Sequence, residues 1–154
     1  GVGKSTLARE LGAVTGLGVR DSDVDIEALT GIDGGIIASR DGVAELHRLE
    51  ASVLLGALAD HRPQVIAAAA SVVEDPWCRA ALARRAFVVV LRAELDLVLA
   101  RIGTGDHRRP MPRAELAELA AQRQPHFDTV SDLTLDAGWP ASDLVAAVLA
   151  ATAP

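Results

Sequence analysis

Gly1-Val2-Gly3-Lys4-Ser5-Thr6 opens the chain and matches most of the pattern G-x-x-x-x-G-K-[ST], with Gly3-Lys4-Ser5 at its last three positions. Each residue type there has a chemical purpose. Glycines let backbone N–H groups wrap around phosphate oxygens. A lysine reaches the outer phosphates, and a serine or threonine hydroxyl goes to Mg²⁺. A helix has to follow such a loop. Leu7, Leu11 and Val14 recur at helical spacing with good helix formers between them, which predicts that helix. Gly1, Val2, Gly3, Lys4, Ser5 and Thr6 are therefore candidate nucleotide-phosphate ligands. The pattern's first glycine would lie three residues ahead of Gly1.

Asp21-Ser22-Asp23 is the second candidate, with Asp23 nineteen residues after Lys4. It ends a short predicted strand, Gly18-Val19-Arg20, at the carboxyl edge where ligands gather in open α/β sheets. One carboxylate can hold a metal-bound water there. The other can accept a hydrogen bond from an attacking hydroxyl. The competing reading is a helix N-cap for the segment from Val24 onward, a task Asp23 could also perform. Gly103 to Pro112 holds two Gly, two Pro and two Arg, so it reads as a mobile lid loop. Arg109 on that loop can close over a nucleotide and stabilise a transferring phosphoryl group, or remain a solvated surface residue. Arg123 is predicted to close its helix just before Pro125. There it either caps the helix C-terminus or clamps an anionic substrate bidentately.

The elements that must position these groups alternate between strand and helix. Strands are predicted at 18–20, 65–69, 87–91 and 133–135, and helices at 43–58, 76–85, 95–102, 113–123 and 142–151, the last capped by Ser142. Phe87-Val88-Val89-Val90-Leu91 is a continuous apolar run of the kind buried on both faces. Such alternation implies a three-layer α/β fold with a parallel sheet between helices. Phosphate loops connect a strand to a helix, so one further strand is expected ahead of Gly1.

Bulk properties narrow the function classes. The 154 residues fit a single domain, 1–154, with a substantial core. The net charge of −6 argues against a general nucleic-acid surface, and no apolar stretch is long enough to span a membrane. A lone Cys78 excludes an internal disulfide framework, fits a reducing cytoplasm and reads as a packed small hydrophobe.

Taken in order, these features resemble the shikimate kinase family, small P-loop enzymes similar to nucleoside-monophosphate kinases. The resemblance runs from the opening loop through Asp21-Ser22-Asp23-Val24-Asp25, Thr30-Gly31, Gly42, Arg48-Leu49-Glu50 and Arg109-Pro110-Met111 to Arg123-Gln124-Pro125. It implies a five-stranded parallel sheet with the phosphate-loop strand central. It also implies an ATP- and Mg²⁺-dependent monomeric kinase acting on a hydroxyl of a small hydroxy acid, shikimate first. By resemblance, Lys4 binds phosphate, Ser5 and Asp21 position Mg²⁺, Asp23 contacts the acceptor hydroxyl, Arg109 is the lid arginine and Arg123 meets the substrate carboxylate.

Two departures bear on the acceptor. The family's G-E-x-x-F-R-x-x-E reads Gly42-Val43-Ala44-Glu45-Leu46-His47-Arg48-Leu49-Glu50, so His47 stands at the position of a carboxylate-gripping arginine. Arg48 lies about 100° around the helix and is not a simple substitute. Ala68-Ala69-Ala70 stands where the family has three substrate-facing glycines, and by itself this run reads as a tightly packed strand end. These departures leave open a paralogous kinase for another polyol or sugar acid, or a nucleotide-binding module with little transferase activity.

Overall fold

The computed structural model describes residues 2–102 and 111–154. Gly1, Arg109 and most of the expected lid loop lie outside the described residues. Helix α1 (Lys4–Thr15) leads into strand β1 (Gly18–Asp21), then helices α2 (Ser22–Thr30), α3 (Gly34–Arg40) and α4 (Val43–Ala59). Strand β2 (Gln64–Ala67) passes into a 3-10 turn, Ala70–Glu74, and helix α5 (Pro76–Arg85). Strand β3 (Val89–Arg92), helices α6 (Leu95–Ile102) and α7 (Arg113–Val130), strand β4 (Leu133–Asp136) and helix α8 (Ala141–Thr152) complete the order.

All strand pairing is parallel, as the alternation predicts. Among the described residues it forms two pairs rather than one sheet: β1 with β2, and β3 with β4. The resemblance's central strand is not among these four. The pairs are joined through side chains instead. Leu7 and Leu11 of α1, Leu135 of β4 and Leu144, Val145 and Val148 of α8 form one buried cluster, and Val65 of β2 and Val89 of β3 pack against it. A second cluster gathers Leu54 and Leu58 of α4, Val72 and Val73 of the 3-10 turn, Cys78 and Leu82 of α5, and Val130 of α7. A third, Ile26, Ile37 and Leu49, ties α2, α3 and α4 together.

Several local expectations are corrected. Val14 is exposed, so the buried face of α1 is carried by Leu7, Ala8, Leu11 and Gly12. The second predicted strand stops at Ala67, because the backbone tightens into the 3-10 turn. The run at 87–91 is not buried on both faces. Phe87 is exposed outside β3, and Val90 alone within the strand is fully buried, since β3 has a ladder partner on one edge only among the described residues. Helix α7 continues through Pro125 to Val130. A proline removes one donor and disturbs the turn before it, yet Phe127 and Val130 beyond it are packed on the second cluster and hold the helix together. Ser142 sits within the first turn of α8 rather than at its cap, which is Pro140.

Helices α2, α3 and α5 begin at Asp21, Asp33 and Asp75, whose side chains accept from backbone N–H groups of the first turn. Gly42, before α4, has φ 98° and ψ 156°, a region essentially restricted to glycine.

Two predictions follow from the second cluster. Leu54 is 2% exposed, so Leu54→Ala is expected to cost about 2–5 kcal/mol in urea unfolding. Burial, with the Asp75 carboxylate nearby, pushes the Cys78 thiol up to about 11 from an ordinary 9.0. Well below pH 9.0 the thiol is protonated in both states and contributes no pH dependence. Above it the unfolded chain releases the proton first, so stability falls until the folded thiol also ionises near pH 11. The urea midpoint is expected to drop across that window, and to drop less in Cys78→Ala.

Candidate functional site

Helix α1 and strand β1 are joined by Gly16 and Leu17 alone, and the two elements pack together. So short a link makes them antiparallel. Twelve helical residues rise about 18 Å and four strand residues about 13 Å, so the start of α1 reaches the edge where β1 ends in Asp21. Gly12 sets the separation, because a Cβ there would run into the Val19 side chain of β1. This glycine was not recognised as a site-building residue from sequence, since its constraint comes from a strand packed across it.

The N-terminus of α1 is chemically unlike that of the other helices. Gly3 takes the N-cap at φ 93°, a left-handed conformation that favours glycine, and as a glycine it offers the first-turn N–H groups no side-chain cap. The first turn holds Lys4, Ser5 and Thr6 and no acid. Every other described α-helix has either an aspartate cap or an acidic residue in its first turn. A lysine at the positive end of a helix dipole is unfavourable by itself, and a bound polyanion would offset that cost. The residues present thus fit a nucleotide's phosphates.

Asp21, not Asp23, is the N-cap of α2: its Oδ1 accepts from the Asp23 N–H at 3.0 Å. The extended backbone at Asp21 lets its carboxylate fold back over the turn, whereas Asp23 already lies within the helix. That bond leaves the carboxylate further lone pairs for a metal-bound water. Asp23 is exposed in the first turn of α2. No three His, Cys, Asp or Glu side chains among the described residues form a metal-holding group. Ser5 and Asp21 offer oxygen donors of the kind that would hold Mg²⁺ together with a nucleotide.

The ladder pairs Asp21 with Ala67, which brings the end of β2 to the same edge. Ala68 and Ala69 pack on the second cluster, Ala69 at φ −64° and ψ 146°, and Ala70 opens the 3-10 turn. No non-glycine residue has positive φ among the described residues, so the alanines adopt this path without strain. The packed strand end expected for this run is what the structure shows.

The 3-10 turn carries the edge over to an open groove of about 480 Å³ against α4, lined by His47, Ser52, Ser71, Glu74 and Asp75 among others. A buried hydrogen bond from Ser71 Oγ to Glu50 fastens the turn to α4. Arg48 also lines the groove, but its guanidinium pairs with Glu45 at 2.6 Å and holds that carboxyl below its ordinary range.

Arg123 lies inside α7, with seven helical residues after it, so it cannot cap that helix's C-terminus. Its Nε donates to Glu74 Oε1 at 2.5 Å, and Glu74 Oε2 lies 4.0 Å from His47 Nδ1. The structure thus brings His47 and Arg123 to one carboxylate. Glu74 was not anticipated. In sequence it only marks where an apolar run stops, and the contacts that matter are 49 positions away for Arg123.

Comparison with known proteins bears on this arrangement. The family model described as Shikimate kinase matches residues 1–153. The shikimate kinase of Chromobacterium violaceum is 36% identical over 141 residues, covering 88% of this chain and 76% of that protein. The shikimate kinase of Mycobacterium tuberculosis is 38% identical over 141 residues, covering 88% of this chain and 78% of its own. The structure of Acinetobacter baumannii shikimate kinase in complex with shikimate superposes with a TM-score of 0.83 at 25% identity, covering 96% of this chain and 85% of that one. Aquifex aeolicus shikimate kinase reaches a TM-score of 0.83 at 20% identity over 97% of this chain and 89% of its own, which supports the fold. With the family matched along nearly its whole length, the chain belongs to the shikimate kinase family of small-molecule kinases.

Proposed function

We propose that this protein transfers the terminal phosphoryl group of ATP to a hydroxyl of shikimate, as a Mg²⁺-dependent, monomeric, cytoplasmic enzyme. The observation that carries the nucleotide half is the start of α1, which has uncapped donors, Lys4 and no first-turn acid, on the edge where β1 ends in Asp21. Support for the acceptor comes from the bound shikimate named for the Acinetobacter baumannii relative. No described helix is long and apolar enough to cross a membrane.

ATP with Mg²⁺ supplies the phosphoryl group and a charge-neutralised leaving group. Such transfer relies on positioning and charge stabilisation, and each protein group has one limited task. Lys4 and the N–H groups of Gly1 to Thr6 cradle phosphate oxygens. Ser5 and Asp21 hold the metal. Asp23 accepts the acceptor hydroxyl's hydrogen bond and aligns its oxygen. Arg109 closes over the terminal phosphate. Arg123 and His47 receive the acceptor's carboxylate, and Ala68 to Ala70 form the wall beside it.

Lys4 is the chain's only lysine, which makes its role easy to isolate. ATP with Mg²⁺ is expected to raise the melting temperature, and Lys4→Ala to remove most of that shift. An undiminished shift in Lys4→Ala would place the nucleotide elsewhere. Asp23→Asn is expected to keep the ATP-induced shift and lose about a hundredfold or more in kcat. The Asp21 cap accepts from the Asp23 backbone N–H, which this substitution keeps, and near-parental turnover would remove Asp23 from the chemistry.

A further inference from the structure

Arg123 differs from the other described arginines that pair with carboxylates. Its side chain is 13% exposed, whereas those of Arg20, Arg40, Arg48, Arg62, Arg92 and Arg113 range from 39% to 86%. A guanidinium this sheltered requires an anion beside it, since leaving it unpaired is costly. Glu74 meets that need, yet Glu74 is itself 41% exposed and lines the groove. Its second oxygen faces His47, which is 35% exposed. One internal carboxylate thus holds both groups to which the acceptor's carboxylate is assigned.

The backbone beneath Glu74 is anchored independently of its side chain. Arg79 Nη1 donates to the carbonyls of Val73 and Glu74 at 2.7 and 3.0 Å, and Ser71 is bound to Glu50. The Glu74 side chain can therefore leave Arg123 by rotamer change alone, with the turn staying in place. An incoming carboxylate would replace it ion for ion, keeping Arg123 neutralised throughout.

We propose that Glu74 is a specificity-determining residue, an internal carboxylate that occupies Arg123 in the free protein and competes with the carboxylate of an acidic acceptor. This rests on the assignment of Arg123 to the acceptor's carboxylate. Tethered to the groove, Glu74 competes at a high effective concentration whatever the substrate concentration. It weakens acidic acceptors selectively, because a neutral acceptor need not displace it. The displaced carboxylate, together with Asp75, also leaves negative charge in the groove beside the bound acid.

The test compares the parent protein with Glu74→Gln and Glu74→Ala, in steady-state kinetics at saturating ATP and Mg²⁺ and in calorimetric titration with shikimate and its methyl ester. Both variants are expected to bind shikimate about three- to tenfold more tightly, with a matching fall in KM and kcat within about twofold. Ester affinity is expected to move by less than about twofold. A purely structural role for Glu74 would lower the melting temperature and shift acid and ester together, which would overturn the proposal. Unchanged or weaker acid binding in both variants would also overturn it, whether or not shikimate is turned over. Selective tightening of acid binding without turnover in any of the three proteins would keep the Glu74 assignment and refute the shikimate kinase reaction. Turnover with a KM insensitive to both substitutions would do the reverse.

Discussion

The positive end of α1 is the constraint around which the molecule is arranged. A helix terminus that carries a lysine, no first-turn acid and no side-chain cap is costly unless an anion is present. The other helices avoid this cost with aspartate caps or first-turn acids, so its retention at α1 sets this terminus apart and supports the proposed phosphate site. Positioning that terminus takes two inexpensive devices. The link of Gly16 and Leu17 turns the chain back on itself, and Gly12 lets the helix lie close on Val19. Leu7 and Leu11 then anchor the helix into the cluster shared with α8 and both strand pairs.

The acceptor half follows a different logic. Where the start of α1 carries no side-chain cap and no first-turn acid, the groove side closes on itself through Glu50 with Ser71, Glu45 with Arg48 and Glu74 with Arg123. The 3-10 turn connects the two halves. Its start continues from the sheet edge beside Asp21, and its end delivers Glu74 to α4 and α7. Val72 and Val73 lie between these ends in the core, so the turn is fixed by packing while the half-exposed Glu74 side chain lines the groove. Under the proposed competition, affinity for an acidic ligand there would depend on exchanging one ion pair for another, a small difference between large terms.

Much of this was legible in the chain itself, for reasons that differ by residue. Gly3-Lys4-Ser5 and Asp21-Ser22-Asp23 are informative because their chemistry depends on neighbours within one turn or strand end. The helices 43–58, 76–85 and 95–102 were read almost to the residue, since amphipathic spacing and an N-terminal proline act over similarly short range. Helix α3 went unread, because Gly34 and Gly35 are poor helix formers and the segment is held by packing of Ile37 on Ile26 and Leu49. Pro125 misled for a related reason, as the helix survives it through contacts made at Phe127 and Val130.

The sequence by itself determined the resemblance to the family, the candidate phosphate loop and aspartates, the parallel α/β alternation and the departures at His47 and Ala68 to Ala70. These rest on residue type and on spacing along the chain, which is all that local hydrogen bonding and periodicity require. Only the tertiary structure decided that Asp21 rather than Asp23 caps α2, that Gly12 governs how closely α1 approaches β1, and that Glu74 joins His47 to Arg123. Each of these depends on backbone direction or on residues brought together from distant positions. An ion pair across 49 residues leaves no periodic trace in the chain, since only folding brings its two partners together.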